Sequence, residues 1–289
     1  MKTSFYKYLC LLLMTAFCIQ AYADESENTG LIHTLRVGVS GGSGLNLTPT
    51  DCVMKSKFGA SGALAFDYTF YKSFDKVDLG LRTGLDLGYM YLPYHAEFAQ
   101  QYSNMDYLGN QVDYTTSGVV DVVQNQLYAS LPLMFALRTH GFVCNIGVRL
   151  QMPFYQTGKQ QLSNPLVQAY YPKYDVTVTN ELITGIVTDE QLSTPLASSP
   201  VFLECYASAE IGYEHRLNAK GAIGCAAYVH AGIWNSLPKA TNTPIIQVAP
   251  IMDSETPVPT VTVNDAYTSL LTSYTPLQFG VKVYYAFSL

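Results

Sequence analysis

Over much of this chain, apolar and polar residues alternate one by one. In the stretch 77-VDLGLRTGLDLGYMY-91 the odd positions are Val77, Leu79, Leu81, Thr83, Leu85, Leu87, Tyr89 and Tyr91. The even ones are Asp78, Gly80, Arg82, Gly84, Asp86, Gly88 and Met90. Gly80, Gly84 and Gly88 recur every fourth residue, the spacing by which membrane helices pack. Period two nevertheless sorts the same residues cleanly into an apolar set and a polar or small set, and only a strand places those sets on opposite faces. The stretch is therefore expected to be a strand.

Seven more segments sort in the same way: 31–40, 58–71, 126–138, 142–154, 201–214, 222–234 and 277–289. All eight reach the ~9–11 residues that a tilted strand needs to cross a bilayer. Short turns at 72–76, 139–141 and 215–221 alternate with long connections at 41–57, 92–125, 155–200 and 235–276. Long loops at one end and short turns at the other are the plan of outer-membrane barrels. The pattern predicts an all-β fold: an eight-stranded antiparallel up-and-down transmembrane β-barrel with long extracellular loops and both termini on the periplasmic side. If 174-YDVTVTNELITGIVTD-189, which looks like a projecting hairpin, re-enters the membrane instead, the strand number becomes ten.

Alternation alone does not say which face is inside. The polar face is rich in Gly and Ser with isolated charges of both signs, which suits the narrow interior of an eight-strand barrel better than a water-facing surface. Tyr89 and Tyr91 are expected at the upper rim, and Tyr68, Phe70, Tyr213, Tyr285 and Phe287 at the lower, where aromatic girdles sit. The N-terminus adds Lys2, Lys7, an apolar run from Tyr8 to Ile19 and Ala21-Tyr22-Ala23, so residues 1–23 read as a cleavable signal peptide and 24–289 as the barrel domain. Cys18 raises a lipoprotein, but Phe17 stands where that cleavage site wants a small residue.

The signal peptide, the segment 126-QLYASLPLMFALRTHGFVCNIGVRL-150 and the terminal strand 279-FGVKVYYAFSL-289 together resemble bacterial outer-membrane β-barrel proteins of the porin family, of OmpA/OmpX-like size and of the type common in Bacteroidetes. The resemblance implies partners in outer-membrane lipid, lipopolysaccharide and the barrel-assembly machinery. Members usually end on an aromatic residue, whereas this chain ends on Leu289 with Phe287 on the same face.

Composition agrees. Charged residues are 13% of the 289, about half the ~25% of a soluble globular chain. Loss of residues 1–23 removes two lysines and no acid, taking the formal charge from −6 to −8, which argues against nucleic acid as a partner. Cys52, Cys144, Cys205 and Cys225 fit no metal or redox spacing.

The inward face collects the candidate polar network: Arg36, Asp67, Asp78, Arg82, Asp86, Arg138, Arg149, Glu204, Glu210, Glu214 and Lys282. Charges in so narrow a space must pair. Neighbouring strands suggest Arg149 with Glu204 or Glu210, Arg36 with Asp67, and Arg138 with Asp78. Gly38-Val39-Ser40-Gly41-Gly42 matches the G-x-S-x-G nucleophile elbow formally, but no helical period follows Ser40. His95 lies near the upper rim without triad spacing, and the histidines are too scattered for a metal. No cofactor is expected. The connection 92–125 carries Glu97, Asp106, Asp113, Asp121 and several tyrosines but no Lys or Arg, suiting a surface ligand. The resulting expectation is a monomeric, non-enzymatic barrel with a closed polar lumen and interacting loops; a small channel and a lipid-modifying enzyme are the alternatives.

Overall fold

The computed structural model describes residues 31–49, 53–74, 76–106, 108–179, 203–218, 220–234, 243–249 and 260–289. The expected signal peptide, Cys52 and the second half of 174–189 lie outside these residues. The strands are β1 (Leu31–Asn46), β2 (Lys55–Ser56), β3 (Ala60–Phe74), β4 (Val77–Met105), β5 (Gln111–Thr139), β6 (Phe142–Tyr171), β7 (Val176–Thr179), β8 (Glu204–Arg216), β9 (Gly221–Gly232), β10 (Ile246–Ala249), β11 (Thr260–Val263) and β12 (Pro276–Ser288). One short helix, α1 (Ala266–Leu270), precedes β12.

Eight of these strands hydrogen-bond into a closed antiparallel ring in the order β1, β3, β4, β5, β6, β8, β9, β12 and back to β1. Closure leaves no free edge within the ring. Leu31, Leu289 and the short turns share one end of the ring, called lower here. In the β5–β6 turn, His140 and Gly141 both have positive φ, as a two-residue type I′ hairpin requires.

The faces of the ring are inverted relative to a water-soluble barrel. Outward side chains are apolar and bare: Phe135 is 70% exposed, Ile146 61% and Leu64 53%, whereas the inward Arg36, Asp67 and Arg82 are 1–3% exposed. The inner wall of β4 carries the glycine ladder, and Gly80, Gly84 and Gly88 abut Tyr71, Asp67 and the Tyr128 ring. A side chain at any of the three would collide with what fills the interior.

Two expected loops are corrected. The segment 92–125 is no loop, because β4 and β5 run on as a hairpin of 29-residue strands to a tight turn at Asp106–Asn110. Likewise β6 continues to Tyr171, and β7 folds back onto it only over Gln168–Tyr171, far from the ring. The strand keeps its parity while the character of its two faces changes. Below Tyr91 the odd residues of β4 are apolar and face out; above it the outward residues become Pro93, His95, Glu97, Gln101 and Ser103, while the inward ones become Leu92, Tyr94, Ala96 and Phe98. Polar inside and apolar outside gives way to the reverse.

That upper apolar interior is filled by the segment preceding β12. Ile245, Ile246, Val248, Tyr267, Leu270, Leu271 and Tyr274 pack with Met54, Leu92, Tyr94, Val122 and Leu162 in one buried cluster. Tyr267 meets Tyr94 and Tyr274 edge-on, at centroid distances of 5.6 and 6.5 Å. The polar side chains left on the inner wall serve the backbone of this lid. The Ile245 N–H donates to Gln100 Oε1 at 2.8 Å, the Val248 N–H to Tyr102 Oη at 2.8 Å and the Ala266 N–H to Gln160 Oε1 at 2.9 Å.

Candidate functional site: the charged interior and its lid

Strand parity aims every second side chain into the ring, and the narrow ring brings distant strands within reach of one another. Ascending from the lower end, the interior is stacked in tiers. In the first, Arg138 Nε donates to Asp78 at 2.9 Å and Ser73 to the same carboxylate at 2.7 Å. Next, Arg36 spans the ring: Nε donates to Glu214 at 2.8 Å, and its Nη atoms reach Thr69 Oγ1 at 3.0 Å and Tyr71 Oη at 2.6 Å. Its guanidinium also lies over the Tyr284 ring, 5.4 Å from the centroid.

The third tier centres on Arg82, held between Asp67 at 2.8 Å and Glu210, while Lys282 Nζ sits 2.5 Å from Asp67. Two cations face two anions here, which is what so dry a site requires. The gap bounded by Arg36, Asp67, Arg82, Asn145, Lys282 and Tyr284 has no room for a water molecule. In the fourth tier Arg149 approaches Asp86 at 3.4 Å, donates to His230 Nε2 at 2.8 Å and lies over the Tyr128 ring. Because arginine only donates, His230 accepts at Nε2 and turns its Nδ1 proton to Ser208 Oγ at 3.0 Å. In the fifth, Glu204 accepts from Tyr206 at 2.7 Å, Gln151 at 3.0 Å and Gln126 at 3.3 Å; Tyr274 of the lid donates to Gln126 at 3.1 Å.

All eleven candidate side chains project into this interior, but they do not pair as neighbouring-strand reasoning suggested. Arg138 does meet Asp78. Arg36 turns from Asp67 to Glu214, and Arg149 meets Asp86 rather than Glu204 or Glu210. The correction follows from the ring itself: its narrow interior brings strands that are not neighbours within reach, so Arg36 meets Glu214 and Arg149 meets Asp86 in addition to what the adjacent strands offer. Tyr71, Tyr128, Gln126, Gln151, Tyr206, His230 and Gln278 complete the tiers and were missed, although their inward parity marks them.

At the lower mouth the interior widens into a cavity of about 470 Å³ lined by Lys76, Asp78, Arg138, His140, Glu214 and Arg216 among others. Ser40 lies within β1, which continues straight to Asn46, so no strand-to-helix elbow forms there. His95 instead faces outward and bonds Asp121 at 2.8 Å, with Lys57 Nζ 3.4 Å from the same oxygen. Partial burial works to raise the Asp121 carboxyl, but His95 and Lys57 outweigh it and hold it below the usual carboxylate range.

With the closed ring and its interior established, comparison with known proteins finds little. Among the solved structures that are similar at low level is the outer membrane protease OmpT from Escherichia coli, at 8% identity and a TM-score of 0.29, over 91% of this chain and 98% of that one. So weak a likeness carries no argument about activity. No protein-family model matches the sequence. No curated protein matches it either.

Proposed function

We propose that this chain is an outer-membrane β-barrel protein whose eight ring strands span the lipid, and whose role is structural and interactive rather than catalytic or conductive. The observation that carries the reading is the inversion at Tyr91. Apolar outside and polar inside is stable only where the surroundings are hydrocarbon, and the opposite arrangement above it only where they are water. From Leu79 to Tyr89 the outward apolar face of β4 covers ten residue steps. At ~3.4 Å per step and a tilt of ~40° that rises roughly 26 Å, the height of the apolar band on such barrels.

The upper hairpin, β6–β7 and the lid then stand outside the cell, and the short turns face the periplasm. Delivery by a cleaved 1–23 signal, insertion by the barrel-assembly machinery and a monomeric state belong to the same proposal. The tiers favour a closed lumen, because Arg36–Glu214, Arg82–Glu210, Lys282–Asp67 and Arg149–Asp86 join strands that are not neighbours, hydrogen bonds hold Glu204, and the lid packs above them.

Two measurements test this. In cell fractionation the chain should sediment with the outer membrane, and protease added to intact cells should cut only above the Tyr91 level. In planar bilayers the purified protein should give no steady conductance; a large stable channel would show that the tiers do not seal, and recovery in the soluble fraction would remove the membrane reading altogether.

A further inference from the structure

Just above the lipid boundary, one sector of the outer wall carries cations. Register fixes the rows. Tyr89, Leu127 and Tyr155 lie side by side on β4, β5 and β6, with Tyr91, Asn125 and Thr157 in the row above them. The next row is Pro93, Val123 and Lys159, and the one after that His95, Asp121 and Gln161. The short strand β2 extends these rows sideways: Lys55 pairs with His95, and the Lys57 N–H donates to the Pro93 carbonyl at 2.8 Å. Lys55, Lys57, His95 and Lys159 therefore share one outward face around Asp121. The Lys57 side chain is 58% exposed even while it touches that carboxylate.

The aromatic edge of the apolar belt lies directly beneath, with Tyr155 56% and Tyr89 44% exposed. A two-residue step along a tilted strand rises about 5 Å, so the Lys57–Lys159 row and the Lys55–His95 row stand roughly 5 and 10 Å above Tyr91, and roughly 10 and 15 Å above Tyr89 and Tyr155, where the lipid headgroups lie. The patch is one-sided. On the opposite sector the outward residues at the tops of β1, β8, β9 and β12 are Ser43, Leu45, Leu203, Ala231, Ile233, Leu277 and Phe279, and none of these is charged. A general attraction to the membrane surface would not favour one side. Three lysines against Asp121 and Glu97, the next outward residue above His95, leave the patch net positive, in a chain whose formal charge is −6.

We propose that this face is a binding site for the phosphorylated headgroup of a glycolipid in the outer leaflet. The acyl chains would lie along Leu87, Tyr89, Leu127 and Tyr155, with phosphate groups held by Lys57 and Lys159. Those two residues stand three strand spacings apart, about 14 Å, which suits a headgroup with more than one phosphate. Asp121 keeps Lys57 and His95 turned toward the same place and leaves Lys159 to reach from the other side. The inference rests on the membrane reading above and adds a ligand and its residues.

The test uses the intact protein in lipid nanodiscs, titrated with a bisphosphorylated diglucosamine lipid and with the same lipid after dephosphorylation. The bisphosphorylated form should bind at least tenfold more tightly. The double substitution Lys57→Gln with Lys159→Gln should remove that preference, Lys→Arg at both positions should keep it, and Lys72→Gln with Lys220→Gln at the lower rim should leave it unchanged. Equal binding of the two lipids, or an unaffected Gln double variant, would overturn the site. Displacement by millimolar inorganic phosphate would overturn the lipid assignment in favour of a soluble anion. A protein that never enters nanodiscs would instead remove the membrane reading, and this inference with it.

Discussion

Gly88 shows how one residue without a side chain can organise a tier. The Tyr128 ring lies against its α-carbon, and that ring in turn supports the Arg149 guanidinium, 5.5 Å from the ring centroid. A methyl group at Gly88 must displace Tyr128 and, through it, the Arg149–Asp86 contact. Gly88→Ala should therefore cost about 1–3 kcal/mol, as overpacking does in a tight interior, measured by denaturant titration of the refolded protein in lipid. Gly62 on the neighbouring strand, where a β-carbon would touch only the Ser40 carbonyl oxygen at 3.4 Å, should accept alanine with little change. At the far tip the organising residue is Asp106, which accepts from the Asn110 side chain at 3.0 Å and from the N–H groups of Leu108 and Asn110. The Asn110 side chain first, then those N–H groups, hold its carboxyl below the ordinary range despite a small opposing effect of burial. A carboxyl lowered by folding stabilises the turn above the unfolded value of about 3.9 and loses that contribution as pH falls through the lower folded value. The protection factors for amide exchange at Leu108 and Asn110, taken against the intrinsic rate at each pH, should thus be higher at neutral pH and fall below about pH 4. Asp106→Ala should show the lower protection at every pH, and wild-type protection that does not change with pH would deny Asp106 this role.

On the scale of the element, β4 inverts the character of its two faces without changing its parity, and under the proposed membrane placement this governs what a charge costs at each height. Leu85 and Ala99 point outward on the same strand, six steps below and eight steps above Tyr91. Leu85→Arg places a guanidinium near the middle of the Leu79–Tyr89 band and should cost ~2–4 kcal/mol, whereas Ala99→Arg stands in water and should stay within about 0.5 kcal/mol. Equal costs at the two positions, in folding equilibria measured in bilayers, would remove the boundary from Tyr91. The same inversion explains what could be read from sequence. Among the described residues each of the eight alternating segments falls on a ring strand over most of its length, because within the ring the apolar set keeps to one parity. The reading stopped at Tyr91 because the odd positions cease to be apolar there. The signal for continuation was present in Leu92, Tyr94, Ala96 and Phe98 on the even parity, with Val112, Tyr114, Val120 and Val122 answering on β5. It is invisible to a search for one unbroken phase and plain to one that allows the phase to invert at a membrane surface.

For the molecule as a whole, the interior was legible as a set of inward charges but not as a set of contacts. Arg36 and Glu214 are 178 residues apart and lie on strands that are not neighbours in the ring, so their meeting depends on ring closure and strand stagger, which no local pattern encodes. The lid was hidden for a related reason. The four residues of β10, the four of β11 and the five of α1 are too short for periodicity to register, and they are held by packing against the inverted walls. Lid and tiers divide the labour. The lid covers the apolar upper interior, and each of Leu92, Tyr94, Val122 and Leu162 loses up to about 1.5–3 kcal/mol when wetted. The tiers beneath it obstruct the passage on their own, since ion pairs and hydrogen bonds already join the walls from Asp78 to Glu204. Replacing residues 243–274 with a short Gly-Ser linker should therefore lower the denaturation midpoint markedly and still give no steady conductance in planar bilayers. If lid removal alone opens a lasting channel, the tiers are permeable and the lid is the gate; if it changes neither stability nor conductance, its packing against β4, β5 and β6 contributes nothing that the ring needs.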